Sequence, residues 1–234
     1  MGRLEGKVAI ITGGARGQGA AEAEMFHSEG AQVGITDVLE GDGGQLAASL
    51  GVDFLVHDVA SAESWEVVVN DVISRHGRID VLINNAGILH SFGIEDDSEE
   101  LLDEMWEVNA KAPLRLTRLA FPYLRKSGSG RIIDIISMSG KRVKGNWVGY
   151  SMSKYAALAA SHTARLQGWE DGIRVTAVCP GYVQSEMTAI HAPNVKQEIM
   201  SRPQDIARIV STLLLLPNES HVPEVLMNCV IEPV

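Results

Sequence analysis

The sequence predicts an α/β protein with a doubly wound parallel sheet and helices on both faces, in a single domain spanning residues 1–234. Three observations predict it. Short apolar, β-branched runs alternate with helix-like segments along most of the chain, which is the pattern of parallel strands joined by helical crossovers. A glycine turn follows the first apolar run and opens the first helix, an arrangement that presents free N–H groups to a phosphate. The polar residues able to do chemistry fall just after successive strands, where a doubly wound sheet gathers them along its carboxyl edge.

The first strand, Val8–Ile11, runs into Thr12-Gly13-Gly14-Ala15-Arg16-Gly17-Gln18-Gly19 and then the helical Ala20–Phe26. The glycines read Thr-Gly-x-x-x-Gly-x-Gly rather than Gly-x-Gly-x-x-Gly, yet the requirement is the same: backbone at positive φ and no Cβ beside a ligand. A second strand, Gln32–Thr36, ends at Asp37, 20 residues after Gly17. A carboxylate there accepts hydrogen bonds from an adenosine ribose and repels a 2′-phosphate, so NAD is expected over NADP. Arg16 is the loop cation that could meet such a phosphate and argues the other way.

A polar, glycine-rich patch, Glu40–Gly44, reads as a loop before the short helical segment Gln45–Leu50. The third strand, Phe54–His57, ends in Asp58-Val59, where Asp58 either reaches an adenine amino group or caps the next helix. Trp65–His76 carries Trp65, Val68, Val69, Val72 and Ile73 on one helical face and stops at Gly77. The fourth strand, Ile79–Ile83, leads to Asn84-Asn85-Ala86-Gly87, small and amide-rich residues that let a cofactor approach and can tie neighbouring strands. Ser98–Leu124 reads as a long helix broken near Pro113, with Asn109 in its middle, where an asparagine is unfavourable unless its side chain has a task. The fifth strand, Arg131–Ile136, ends at Ser137, and an alanine-rich helix from Tyr150 to about Gln167 sets Tyr150 and Lys154 on one face by their i, i+4 spacing. A sixth strand, Arg174–Val178, ends at Pro180-Gly181; a last helix, Asp205–Leu216, and a short strand, Val225–Ile231, follow.

Composition narrows the function classes. A net charge of −10 with no basic stripe argues against nucleic acid. No apolar run approaches the roughly 18 residues a membrane span needs, no secretory apolar segment opens the chain, and Gly6 stands where a myristoylation signal beginning at Met1-Gly2 requires Ser or Thr. A cytoplasmic protein is expected. The two cysteines, Cys179 and Cys229, sit in apolar contexts without metal-ligand spacing, so reduced, buried thiols and no metal site are expected.

Taken in order, Thr12–Gly19, Asn84–Gly87, Asn109, Ser137, Tyr150-x-x-x-Lys154 and Pro180-Gly181 resemble the short-chain dehydrogenase/reductase family over nearly the whole chain. The resemblance implies a Rossmann-type fold and hydride transfer between a nicotinamide and a small-molecule alcohol or ketone. It implies a general acid/base at Tyr150, with Lys154 lowering the phenol's pKa and holding the nicotinamide ribose, a substrate-oxygen donor at Ser137 rather than Ser139, and a water-positioning Asn109. Cofactor contacts are implied at Gly13, Arg16, Gly17, Gln18 and Gly19, at Asp37 and Val38, at Asp58 and Val59, at Asn85, Ala86 and Gly87, at Tyr150 and Lys154, and at Pro180, Gly181, Val183 and Ser185. A homotetramer or homodimer built from the two long helices is implied by the same analogy.

Two features depart from the family. Gln18 replaces an aliphatic residue between the last loop glycines, and the lid between Gly181 and Arg202 is short, with no glycine-rich stretch near the carboxyl end. A short lid leaves an open pocket, so a bulky or rigid apolar secondary alcohol, alicyclic or steroid-like, is expected. His90, Phe92, Trp147, Tyr182, Met187 and His191 are the candidate lip residues, His191 being expected in solvent. An NADPH-dependent reductase of 3-oxoacyl thioesters and a non-catalytic NAD(H)-binding regulator are the alternatives; Asp37 weighs against the first and the Asn109, Ser137, Tyr150 and Lys154 set against the second.

Overall fold

The computed structural model describes residues 2–96 and 98–230. Seven parallel strands form one sheet in the order β3-β2-β1-β4-β5-β6-β7: β1 Val8–Thr12, β2 Gln32–Asp37, β3 Asp53–Val56, β4 Val81–Asn84, β5 Arg131–Ile135, β6 Arg174–Pro180 and β7 Glu224–Met227. Eight α-helices lie between them: α1 Gly17–Ser28, α2 Glu40–Leu50, α3 Ser64–His76, α4 Glu99–Met105, α5 Ala112–Ser127, α6 Val148–Gln167, α7 Glu186–His191 and α8 Pro203–Leu214. The strand order reverses between β1 and β4, which sit side by side with Ile10 opposite Leu82. Ligands bind at such a reversal, outside the strands' carboxyl ends.

The period-2 alternation of the central strands builds a core on each face. Ala9, Ile11 and Ile83 point to the side where Phe26, Ile206 and Val210 pack, whereas Val8, Ile10 and Leu82 point to Trp65, Val72, Leu116 and Leu124. Burying each of the larger of these side chains is worth roughly 2–3 kcal/mol. Asn84 at the end of β4 donates to Asp134 of β5 at 2.7 Å and to Thr117 of α5 at 3.2 Å, tying strands together as its amide suggested.

Three elements differ from expectation. Glu40–Gly44 is the start of α2, not a loop: a Cβ on Gly43 would lie 2.2 Å from the Phe54 ring, so the glycine lets the helix rest directly on β3. The long helix is interrupted before Pro113, by a π turn over Trp106–Lys111, and Pro113 sits in the first turn of α5 where its missing N–H costs nothing. Having no N–H, Pro113 also leaves the Asn109 carbonyl without its i+4 donor. The last strand pairs only over Glu224–Met227; the expected end at Ile231 lies outside the described residues, as does Met1.

On α1, Glu22 is fully buried, and neither carboxylate oxygen has a hydrogen-bond partner among the described residues. Burial alone pushes its carboxyl up to about 8. A raised carboxyl binds its proton more tightly in the folded than in the unfolded chain, so this group's contribution is most favourable below about pH 4.5 and is lost as pH climbs toward 8. Glu22→Gln, which cannot ionise, should be more stable than the parent by on the order of 3 kcal/mol at neutral pH and by little near pH 5. Urea midpoints at the two pH values check this, and a difference independent of pH would contradict it.

Candidate active site

The glycine loop owes its shape to close packing. Gly13 and Gly17 take φ of 64° and 58°, in the left-handed region, and a Cβ on Gly19 would lie 2.3 Å from the Gly13 carbonyl oxygen. The Asn85 amide donates to the Thr12 and Gly13 carbonyls at 2.9 Å each, while the Thr12 hydroxyl accepts from the N–H groups of Asn85 and Ala86 at 3.1 Å. The Asn85 Nδ2 donors are therefore committed to the loop.

Asp37 closes the loop from the β2 side, accepting from the Ala15 N–H at 3.0 Å and from the Leu39 N–H at 3.1 Å, with Val38 exposed beside it. Arg16, read as a possible phosphate partner, pairs at the exposed surface with Asp42 at 2.5 Å and with Glu186 of α7 at 2.8 Å. Asp58 accepts from the Ala60 N–H at 2.9 Å in a local turn and does not cap α3, which begins at Ser64 after Glu63. Val59 is buried and its carbonyl accepts from the Trp65 indole at 3.1 Å. The cradle that any Cβ would fill, the carboxylate at the end of β2, and the buried Gln18 Oε1 with no partner among the described residues together fit a dinucleotide.

At the other end of the groove β5 leads to Ser137, whose φ of 149° and ψ of 158° lie in a region other residues leave to glycine. Such a backbone costs on the order of 1–3 kcal/mol and persists only where the surroundings impose it. It sets the Ser137 hydroxyl to accept from the Ser139 N–H at 3.0 Å, on the wall of the pocket that Tyr150 also lines. One turn along α6, Lys154 Nζ stands 5.8 Å from the Tyr150 ring centroid and donates to the Ile135 carbonyl at 3.0 Å. Gly87 keeps this corner open, because a Cβ there would lie 3.2 Å from Asn109 Oδ1 and 3.4 Å from Lys154 Nζ.

Asn109 sits in the π turn, and its side chain is used up as a brace: Oδ1 accepts from the Ile88 N–H at 2.9 Å, and Nδ2 donates to the Ile88 carbonyl at 2.9 Å and to Ser153 Oγ at 3.1 Å. The expected lowering of the phenol by Lys154 is not produced by the protein's own groups. Burial pushes Tyr150 up to about 12, against the pull of the Ser137 hydroxyl, and burial also brings Lys154 down to about 8. The ammonium lies over the ring and is turned to a carbonyl, so it does little for the phenolate.

Above this corner is a pocket walled by Leu89, Met138, Trp147, Tyr182, Val183 and Met187, with Pro180 and Gly181 at its floor. The short lid is ordered: Val183 bridges to Ser201, the Ser201 N–H donates to the Tyr182 carbonyl at 3.0 Å, and Ser185 caps α7 by accepting from the Thr188 N–H at 3.2 Å. The Ser185 hydroxyl is thereby committed to the cap. His191 is not in open solvent but lines the pocket, with Nδ1 3.0 Å from Ser91 Oγ. Burial, then the neighbouring His90, holds it below the usual imidazole range. Arg142, Val143 and Lys144 also line the pocket and were not anticipated, since the loop that carries them has no periodic pattern to mark it.

The chain belongs to the short-chain dehydrogenase family, whose model matches residues 7–196. The fold of that family binds a nicotinamide dinucleotide. The chain is 34% identical over 230 residues to an agropine synthesis reductase of Rhizobium rhizogenes, covering 97% of this chain but 53% of the relative, so it spans about half that protein's length. It is 37% identical to a 2,5-dichloro-2,5-cyclohexadiene-1,4-diol dehydrogenase of Sphingobium indicum, covering 86% of this chain and 82% of the other. Among solved structures it resembles an alcohol dehydrogenase of Thermococcus sibiricus complexed with 5-hydroxy-NADP, with a TM-score of 0.86, 31% identity and coverage of 97% and 98%. No helix among the described residues is long and apolar enough to cross a membrane.

The brace role of Asn109 has a direct consequence. Asn109→Ala removes one buried amide and strands both backbone groups of Ile88, so folding stability should fall by roughly 2–3 kcal/mol. An unchanged urea midpoint would contradict the role.

Proposed function

We propose that the protein is an NAD(H)-dependent oxidoreductase that interconverts a secondary alcohol and a ketone on an alicyclic or steroid-like frame, with Tyr150 as general acid/base. The observation that carries this is the convergence of the strained Ser137, the buried Tyr150 and Lys154 one turn behind it on one largely apolar pocket. In the oxidative direction Ser137 orients the substrate oxygen and Tyr150 Oη takes the hydroxyl proton; in reduction the same oxygen returns it. When bound, the nicotinamide ring supplies the carbon that accepts or returns the hydride and, oxidised, a positive charge. Lys154 holds the ribose beside Gly87, and the apolar walls keep water from the reacting carbon. A substrate built on a six-membered ring is supported by the diol dehydrogenase relative and by the aromatic and aliphatic walls.

The preference for NAD rests on Asp37 and on the commitment of Arg16 to Asp42 and Glu186, which leaves a carboxylate and no spare guanidinium where a 2′-phosphate would lie. NAD should be favoured over NADP by at least about tenfold in kcat/KM, and Asp37→Ser should narrow that ratio. A preference for NADP in the parent would overturn this half of the reading.

Tyr150→Phe should reduce turnover of cyclohexanols and hydroxysteroids by about a thousandfold or more while dinucleotide binding persists. Because the phenol is held high, its base form is scarce at neutral pH. Alcohol oxidation should therefore keep accelerating as pH rises through the neutral and alkaline range toward about 12, while ketone reduction, which uses the protonated phenol, should stay nearly level below about pH 10. A Tyr150→Phe enzyme with parental rates would sink the assignment.

A further inference from the structure

The pocket above Tyr150 runs against the chain's net charge. The chain carries 30 acidic against 20 basic residues, yet among the described residues the charged side chains lining this pocket are Arg142, Lys144 and Lys154, with no aspartate or glutamate. Lys154 belongs to the Tyr150 corner, and Arg142 donates to Asn228 Oδ1 at 3.1 Å. Lys144 is different. Its Nζ lies 4.3 Å from the Trp147 ring centroid and 4.2 Å from that of Tyr182, hydrogen-bonds the Tyr182 hydroxyl, and pairs with no carboxylate among the described residues.

Two aromatic faces fix the ammonium in place but neutralise none of its charge. The cost of partly dehydrating it shows in Lys144 being pulled below the usual lysine range by burial. A half-buried cation without a counter-ion, in a pocket meant to receive a small molecule, is a charge left for the ligand to balance. Trp147 sets the spacing: its ring meets Tyr150 edge-on at 6.0 Å between centroids on one side and carries Lys144 on the other.

We infer that the substrate is a hydroxy or oxo acid whose carboxylate is bound by Lys144 and the Tyr182 hydroxyl, with the carbinol carbon held at Ser137 and Tyr150 one ring's breadth away. The two donors match the two oxygens of a carboxylate; a phosphate dianion would call for a third. Lys144 then determines specificity and takes no part in proton transfer, which the proposed mechanism assigns to Tyr150. The inference rests on the alcohol–ketone reading above and adds the charged end of the substrate.

The test compares 3- and 4-hydroxycyclohexanecarboxylate with their methyl esters, using NAD and the parent enzyme. The acids should exceed the esters in kcat/KM by about tenfold or more, chiefly through KM, and the advantage should shrink as salt is added. In Lys144→Met the acid-to-ester ratio should fall about 10- to 100-fold, and Lys144→Arg should restore much of it. Calorimetry with the unreactive cyclohexanecarboxylate gives a second readout: binding to the parent enzyme and its loss in Lys144→Met are expected. Esters turned over as well as acids, or an acid preference and carboxylate binding untouched in Lys144→Met, would overturn the role of Lys144 while leaving the alcohol–ketone reading intact. Carboxylate binding without turnover of any alcohol would sustain Lys144 and overturn that reading instead.

Discussion

The two hydrogen bonds from the Asn85 amide to the carbonyls of Thr12 and Gly13 hold together the place where β1 and β4 part. These strands are neighbours in the sheet although three crossovers separate them in sequence, and their diverging ends open the groove. The clamp fixes the glycine loop against Ala86, and the loop in turn presents Ala15 to Asp37. Asn109 repeats the device one layer on, fastening both backbone groups of Ile88 and the Ser153 hydroxyl. The loop at one end of the groove and the Tyr150 corner at the other thus hang on two buried amides that need never touch the reacting atoms.

Burial governs the chemistry of the corner so formed. It pushes the Tyr150 phenol and the Lys154 ammonium toward their neutral forms, so the pair does not pre-ionise itself. Under the proposed mechanism, proton transfer at Tyr150 would draw on charge brought by what binds, coupling the acid/base step to an occupied groove. The cation at Lys144 follows the same logic: held between Trp147 and Tyr182, it is most stable when something anionic arrives.

Much of this was legible in the sequence, because period-2 runs such as Val8–Ile11 and Ile79–Ile83 and the helical spacing of Trp65, Val68, Val69 and Val72 encode the layers directly. The sequential motifs brought Ser137, Tyr150 and Lys154 to one point as expected. What escaped detection depends on contacts between segments remote in sequence. Nothing local shows that Gly43 makes room for Phe54, that Glu186 reaches back to Arg16, or that the unpatterned loop before α6 swings Lys144 between two aromatic rings. Likewise, i, i+4 spacing puts Lys154 beside Tyr150 but does not reveal that its ammonium turns to the Ile135 carbonyl.

The most direct measurement is the fate of a label. The protein would be incubated with NAD and a cyclohexanol carrying deuterium on its carbinol carbon, and the reduced dinucleotide examined by NMR. Deuterium on a single face of the nicotinamide C4, absent when Tyr150→Phe replaces the parent, is the expected result. A dinucleotide that binds tightly yet gains no label from any ring alcohol, charged or neutral, would contradict the assignment of the Ser137, Tyr150 and Lys154 corner as a site of hydride exchange.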